Sequence, residues 1–314
     1  GFGPNTLGLV NTKTKLTTSY FANSRMLAPG SIGFAAQSGI FVGALLRYLS
    51  SLDGLHLSKG IGLGNKVDVN ESDALSFMAD DEQTKIIGLY LEDVKDGNRF
   101  AKTLKKAAAK KPVLIIKSGR TRAGAQASAS HTASMAVEDA VFDGIVRQAG
   151  AIRLHAIDEF VRTLKGFLNM PLPLGDRLAY VSYSGAQAIM SIDTTMEQGL
   201  QTAKLADATL ARIGRVIATS TKTKNPVDIF PDWLTHGYEK TITEVMKALL
   251  DDRGVDGIVF ISFAETNPDV YQSLIDVVQS DRRKPVFVSL LGDSRDKAAC
   301  EHLLEAGGLP CCDF

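Results

Sequence analysis

The first half of the chain lays out an order of segments that the second half repeats. Ile32-Gly-Phe-Ala-Ala36 runs into Gln37-Ser38-Gly39 and a helical stretch from Ile40 to Ser50. Leu178-Ala-Tyr-Val-Ser-Tyr183 runs into Ser184-Gly185 and a stretch from Ala186 to Gln198. The run Ile86 to Leu91, closing on Glu92, is answered by Val255 to Ala264, closing on Glu265, and Lys111-Pro-Val-Leu-Ile by Lys284-Pro-Val-Phe-Val. Short apolar runs alternating with longer amphipathic stretches are the pattern of βα units around a parallel sheet. Each half thus predicts a strand, a Ser-Gly turn, a helix, a strand ending in Glu and a Lys-Pro strand. The fold class is α/β, with two tandem doubly wound, parallel-sheet domains, each a three-layer α/β/α sandwich. Two cores are also the default for 314 residues. The boundary is expected in Asn169 to Asp176, where two prolines and a glycine discourage regular structure. This gives domains over 31–172 and 173–314, with 1–30 ahead of them.

Composition narrows the function classes. Lys plus Arg and Asp plus Glu both total 35, so the formal net charge is zero, and no excess of cations invites nucleic acid or an anionic membrane. The aromatic residues lack the interleaved basic pattern of a nucleic-acid surface. No run of about twenty apolar residues and no signal peptide is present. Cys300, Cys311 and Cys312 are an odd, clustered set. They make no disulfide framework, which points to the cytoplasm, and they lack partners at metal-ligand spacing, so no metal site is expected here. The chain starts at Gly1-Phe-Gly-Pro-Asn5 without a methionine and stops on a strand-like run, Leu309 to Phe314. Both ends read as cut.

The chemistry-bearing candidate is the stretch Ala123 to Ala136, AGAQASASHTASMA, in which His131 is the one ionisable side chain. So little bulk buries little apolar surface, which favours a mobile loop; a close-packed helix of small residues is the equal alternative. A neutral imidazole with Lys117, Arg120 and Arg122 nearby in sequence suits carriage of a phosphoryl group. Ligands of open parallel sheets bind beyond the carboxyl ends of the strands. There Gln37, Ser38 and Gly39 form a strand-to-helix turn whose N–H groups suit a phosphate, and Glu92 suits a hydrogen bond to one imidazole nitrogen. Ser184 and Gly185 form an equivalent turn, but no small-residue histidine segment follows Lys284 to Val288. The halves are alike in structure and unequal in chemistry. Gly64 and Asn65, with Asp68, and Asn225-Pro-Val-Asp228 read either as turns or as polar ligand contacts.

Taken in order, Gly3-Pro-Asn-Thr6, Ala36-Gln-Ser-Gly39, Gly64-Asn65 with Asp68, Leu89-Tyr-Leu-Glu92, Lys117-Ser-Gly-Arg120 with Ala129-Ser-His-Thr132, and Asn225-Pro-Val-Asp228 resemble the NDP-forming acyl-CoA synthetases. These include acetate–CoA ligase (ADP-forming) and are related to the succinyl-CoA synthetase α subunit. The resemblance implies flavodoxin-like domains and a reversible conversion of a small carboxylic acid, CoA and ATP into acyl-CoA, ADP and phosphate. It passes through an acyl phosphate and a phosphohistidine. It implies His131 as the phosphorylated residue and Glu92 as the glutamate that steadies it. Gln37, Ser38 and Gly39 match the phosphate site, Gly64 and Asn65 the segment near acyl group and thiol, and Ser184 and Gly185 a second phosphate-receiving turn. It further implies that residues 1–30 are the tail of a CoA-binding domain and a linker. CoA and ATP/ADP are the implied substrates, and an ATP-grasp domain or subunit carrying Mg2+ is an implied partner in an oligomer. Departures are Ala133 and Met135 where the family has Gly and Leu, and Ala186 where a second Gly is usual. The competing readings are a ligase-like regulatory portion of a protein acetyltransferase, in which His131 has no task, and a non-catalytic scaffold.

Overall fold

Ile32–Ala36 is buried at every position, so it must lie inside a sheet covered on both faces. The computed structural model describes residues 1–19, 27–52, 54–132, 138–218 and 224–312, with 40–42 and 128–132 by backbone alone. The chain divides into two compact units, Gly1–Leu164 and Lys165–Phe314. In chain order the first holds β1 (Leu9–Asn11), β2 (Leu16–Thr17), β3 (Ile32–Ala36), α1 (Gly39–Ser51), β4 (Leu57–Gly62), α2 (Glu71–Asp80), β5 (Ile86–Leu91), α3 (Gly97–Ala108), β6 (Val113–Lys117), α4 (Arg122–Thr132), α5 (Asp139–Ala149) and β7 (Ile152–Leu154). Helix α6 (Ile157–Asn169) runs across the division.

Among the described residues the strand order of the first sheet is β2-β1-β4-β3-β5-β6-β7. From β4 to β7 every pairing is parallel, and the order of these five strands is that of a flavodoxin-like sheet. Residues 9–17, expected as part of a linker, add β1 and β2 to this sheet. β1 pairs antiparallel with β4, and Thr12 Oγ1 donates to Leu57 O at 2.7 Å, covering what would be an open edge. Helices α2, α3 and α5 bring Leu75, Met78, Phe100, Leu104, Phe142 and Val146 to one face. On α3, Phe100, Leu104 and Ala107 fall on one stripe and are buried, while Lys102, Lys105 and Lys106 stand off it. On the other face Phe160 of α6 meets Phe34 edge-on at 5.6 Å.

The second unit holds β8 (Arg177–Ser182), α7 (Gly185–Glu197), β9 (Gln201–Thr202), α8 (Asp207–Ile213), β10 (Val227–Asp228), α9 (Asp232–His236), α10 (Tyr238–Asp251), β11 (Gly257–Phe263), α11 (Gln272–Ser280), β12 (Val286–Leu291), α12 (Ser294–Ala306) and β13 (Cys311–Cys312). Its strands run β10-β8-β11-β12-β13, with β9 also on β8, and all are parallel. The repeat seen in sequence is therefore a repeat of topology. Ser38 and Ser184 each follow the first strand of their own flavodoxin-like sheet, and α7 packs on the Tyr180–Ile261 face opposite α10, α11 and α12. No helix among the described residues is long and apolar enough to cross a membrane.

One position differs between the units. Where β4 is a single strand, its counterpart is split: β9 pairs with Arg177 and Leu178, and β10 with Val181 and Ser182. The Asn225 side chain fills the gap. Its Oδ1 accepts from Tyr180 N at 2.9 Å, and its Nδ2 donates to Leu178 O at 2.8 Å and Ala203 O at 2.9 Å. Asn225 thus replaces missing backbone in the ladder, and turn chemistry does not describe it. Asn225→Ala leaves these backbone groups without partners and should destabilise the second unit by about 3 kcal/mol. A urea midpoint that falls at unchanged slope is the expected reading.

Candidate active site

A sheet ordered this way reverses its direction of winding between its first and third strands, here β3 and β5, and the crevice beyond their carboxyl ends is where such folds take ligands. β3 leads into the Gln37-Ser38-Gly39 turn and Glu92 directly follows the end of β5, with β6 the next strand over. The predicted phosphate turn, the predicted glutamate and the strand leading to the His131 helix thus share one sheet edge.

The turn at α1 has an uncapped start. Ser38 makes no side-chain cap hydrogen bond, so the first N–H groups of α1 have no hydroxyl partner from it. Ser184 behaves differently. Its Oγ accepts from Gln187 N at 3.5 Å, and its own N–H donates to Ser182 Oγ at 2.9 Å. Gly185 has open space where a Cβ would point. The Gln37 N–H expected to join the phosphate turn is instead used by the sheet, donating to Tyr90 O at 3.1 Å. Its side chain is also spent: Oε1 accepts from Glu92 N at 3.0 Å and Asp93 N at 3.1 Å, while Nε2 donates to Asp93 Oδ1 at 2.6 Å. The buried Gln37 therefore braces the turn after β5, with its backbone N–H and one amide N–H both taken by the protein.

Under this brace lies a group that sequence reading missed. Lys66 is buried, and its Nζ meets Glu71 Oε2 at 2.8 Å and Asp93 Oδ1 at 2.5 Å and donates to Asp93 O at 2.8 Å. Glu71 Oε1 accepts from Lys95 N at 3.0 Å. In sequence Lys66 and Glu71 bracket Val-Asp-Val-Asn, a run that reads as an exposed polar turn. The one available signal was Asp93, a second carboxylate directly after Glu92.

Around Glu92 the edge is protein-lined. Burial pushes the Tyr90 phenol up, a hydrogen bond with Ser118 opposes this, and the Glu92 carboxylate adds to it. Ser118 N donates to Leu91 O at 3.0 Å, holding the end of β6 beside that of β5. Burial holds the Lys117 ammonium below the usual lysine range, with Asp139 and Asp93 opposing and Arg153 adding. Its Nζ donates to Ser118 O at 3.0 Å and lies 5.6 Å from the Phe142 ring centre. A buried cation therefore stands where β6 hands over to the histidine segment.

His131 lies in α4, so Arg122–Thr132 is helical and the expectation of a loop is corrected for these residues. The reason is local: alanine is the best helix former, and Thr121 caps the start, accepting from Gly124 N through Oγ1 at 3.1 Å. The His131 side chain and residues 133–137, with the departures Ala133 and Met135, lie outside the described residues.

Gly64 and Asn65 face the amino-terminal segment. Asn65 N donates to Pro4 O at 2.9 Å, and Asn5 Nδ2 lies 3.5 Å from Asn65 Oδ1. Gly64 has φ +59° and a Cβ there would stand 2.2 Å from Pro4 O. Gly64→Ala should therefore pry residues 3–5 off this turn, seen as faster amide exchange at Asn65 and Val67, whose N–H groups bond to Pro4 and Gly3. Among the described residues no cluster of three or more His, Cys, Asp or Glu side chains is placed to hold a metal ion.

A family profile described as succinyl-CoA ligase like flavodoxin domain matches residues 29–167. Acetate–CoA ligase [ADP-forming] II of Archaeoglobus fulgidus is 35% identical over 98% of this chain, which spans 46% of that protein. The α subunit of acetate–CoA ligase [ADP-forming] II of Pyrococcus furiosus is 31% identical over 98% of the chain, which spans 66% of it. Among solved structures, dinucleotide forming acetyl-coenzyme A synthetase 1 of Ca. Korarchaeum cryptofilum, in complex with phosphate and ADP, superposes with a TM-score of 0.90 at 25% identity, covering 99% of this chain and 67% of that one. With the motifs in order and the two sheets in place, the chain belongs to the family of NDP-forming acyl-CoA synthetases, the ADP-forming CoA ligases related to succinyl-CoA ligase.

Proposed function

We propose that this chain is the phosphohistidine-carrying part of an acid–thiol ligase that converts a carboxylic acid, CoA and ATP reversibly into acyl-CoA, ADP and phosphate. The observation that carries the reading is the shared edge of β3, β5 and β6, where the uncapped Ser38–Gly39 turn, Glu92 and the strand leading to α4 stand side by side. An imidazole nitrogen of His131 attacks the γ-phosphorus of ATP, the bond to the ADP oxygen breaks, and the other ring nitrogen keeps its proton, so that the phosphoimidazole is cationic. The carboxylate of the acid then takes the phosphoryl group from His131, giving an acyl phosphate. The CoA thiol, losing its proton, attacks the acyl carbon, and phosphate leaves.

Each residue has a task in this scheme. N–H groups at Ser38 and Gly39 and the positive end of α1 hold the phosphoryl oxygens. Glu92 bonds one ring nitrogen, fixing the tautomer and stabilising the cationic phosphoimidazole. Gly64 and Asn65 face the acyl group and thiol, and Ser184 and Gly185 receive the phosphoryl group when it meets nucleotide. The nucleotide and Mg2+ belong to an ATP-grasp domain or subunit, and CoA to a CoA-binding domain. The naming of the Pyrococcus furiosus relative as an α subunit supports such partners, and we place the assembly in the cytoplasm. The test is transfer of label from ATP to His131 in the assembled enzyme, in a form that acid removes and base does not.

A further inference from the structure

The turn after β5 is anchored through its backbone by the side chains described above. Gln37 Oε1 takes the N–H groups of Glu92 and Asp93, Lys66 Nζ takes Asp93 O, and Glu71 Oε1 takes Lys95 N. Asp93 Oδ1 ties the anchors together, receiving Gln37 Nε2 at 2.6 Å and Lys66 Nζ at 2.5 Å. The side chains of Lys66 and Glu71 have no exposed surface. As a source of stability this is a poor choice, because desolvating three charges offsets most of their attraction, and replacing a buried ion pair by apolar side chains of the same volume is often neutral or stabilising. Its distinguishing product is a fixed backbone.

The duplicated unit lacks the device among the described residues. The residue before its Ser-Gly turn is Tyr183, whose ring packs against Trp233, Tyr238 and Phe260. The turn after β11 is held by uncharged groups: Ala264 N donates to Leu291 O at 2.8 Å, Tyr271 Oη to Phe263 O and Cys300 Sγ to Glu265 O at 3.3 Å. Among the described residues the charged network therefore occurs in the unit that carries His131 and not in its copy.

We infer that Gln37, Lys66, Glu71 and Asp93 are positioning residues for Glu92: they lock the turn Glu92–Lys95 so that the Glu92 carboxylate meets the imidazole in one geometry. This rests on the reading that Glu92 serves the phosphohistidine. Gln37 is the link that touches both the anion-binding turn, as the residue before Ser38, and Glu92, through its backbone N–H. It couples the placement of the phosphoryl group to the placement of the carboxylate. Misplacement of a catalytic group by about an ångström costs on the order of 100-fold in rate.

The experiment uses the full-length enzyme with its partner domains and four forms: wild type, Gln37→Met, Glu92→Gln and the double variant. Gln37→Met keeps the volume and removes the amide. The expected result is that the rate of His131 labelling falls by up to about 10-fold in Gln37→Met, no further than in Glu92→Gln, with KM for ATP unchanged. Adding Gln37→Met to Glu92→Gln should cost nothing further, because a displaced carboxylate and an absent one are equivalent. Amide exchange at Glu92 and Asp93 should quicken while that at Leu89 does not. A purely structural role predicts additive losses instead, and additivity, or normal labelling by a Gln37→Met enzyme, overturns the inference. Normal labelling by Glu92→Gln overturns the functional reading along with it, so the two failures are told apart. Gln37→Asn, which keeps the amide but shortens its reach, is run through the same cycle and decides between the two roles if the methionine variant does not fold.

Discussion

His131→Ala in the assembled enzyme is expected to abolish phosphoryl labelling and to lower turnover by about 10³-fold or more, the scale on which removal of a covalent nucleophile is felt. The substitution separates chemistry from folding unusually well. His131 sits in α4, where alanine is a better helix former than histidine, so the variant helix is at least as stable as the original. A loss of labelling with an unchanged melting curve then belongs to the imidazole. Wild-type label should be lost in acid and kept in base, as a phosphoramidate is. A label on Ser130 or Ser134 would survive acid. Glu92→Gln keeps the shape and the backbone N–H bond to Gln37 while removing the charge, so labelling should weaken about 10-fold and the fold should stand. Acid-stable label, or full turnover by His131→Ala, would move the chain to the scaffold reading.

Why some of this was legible in the sequence and some was not follows from the range of the interactions involved. Strand and helix periodicity is local, so the repeated units, the Ser38 and Ser184 turns and the strand-terminal Glu92 could be read directly, and the strand order places them where the repeat implied. Gln37 was legible in position but not in direction. Its neighbours suggested a donor to an anion, whereas its N–H and side chain both turn inward to Tyr90, Glu92 and Asp93. Asn225 looked like turn chemistry because the gap it fills, between β9 and β10, exists only once those strands are laid on β8. The stretch around His131 had two equal readings, and the capping bond from Thr121 together with alanine propensity accounts for residues 122–132 being helical. Lys66 was out of reach: its partners are five and twenty-seven positions away, and a lysine beside Asn65 and Asp68 carries every mark of a solvated turn.

The lysine is also where the largest loss of stability is expected. Lys66→Met keeps a long unbranched side chain in the same space but strips the charge that Glu71 and Asp93 share. Two carboxylates then face each other out of water, and the carbonyl of Asp93 loses its donor. Breaking a buried ion pair from one side costs about 3–5 kcal/mol, far above what its formation contributes, because the partner's desolvation is no longer offset. A urea titration should show that loss in the first unit and little change in the second. The double variant Lys66→Met/Glu71→Gln supplies the internal control. Its amide oxygen still accepts from Lys95 N, no charge remains at 71, and Asp93 keeps the 2.6 Å bond from Gln37. It should therefore recover a large part of the stability that Lys66→Met loses. If both variants unfold alike, the site is held by packing and not by charge. If the double variant is stable while its labelling rate stays low, the charges were kept for where they put Glu92.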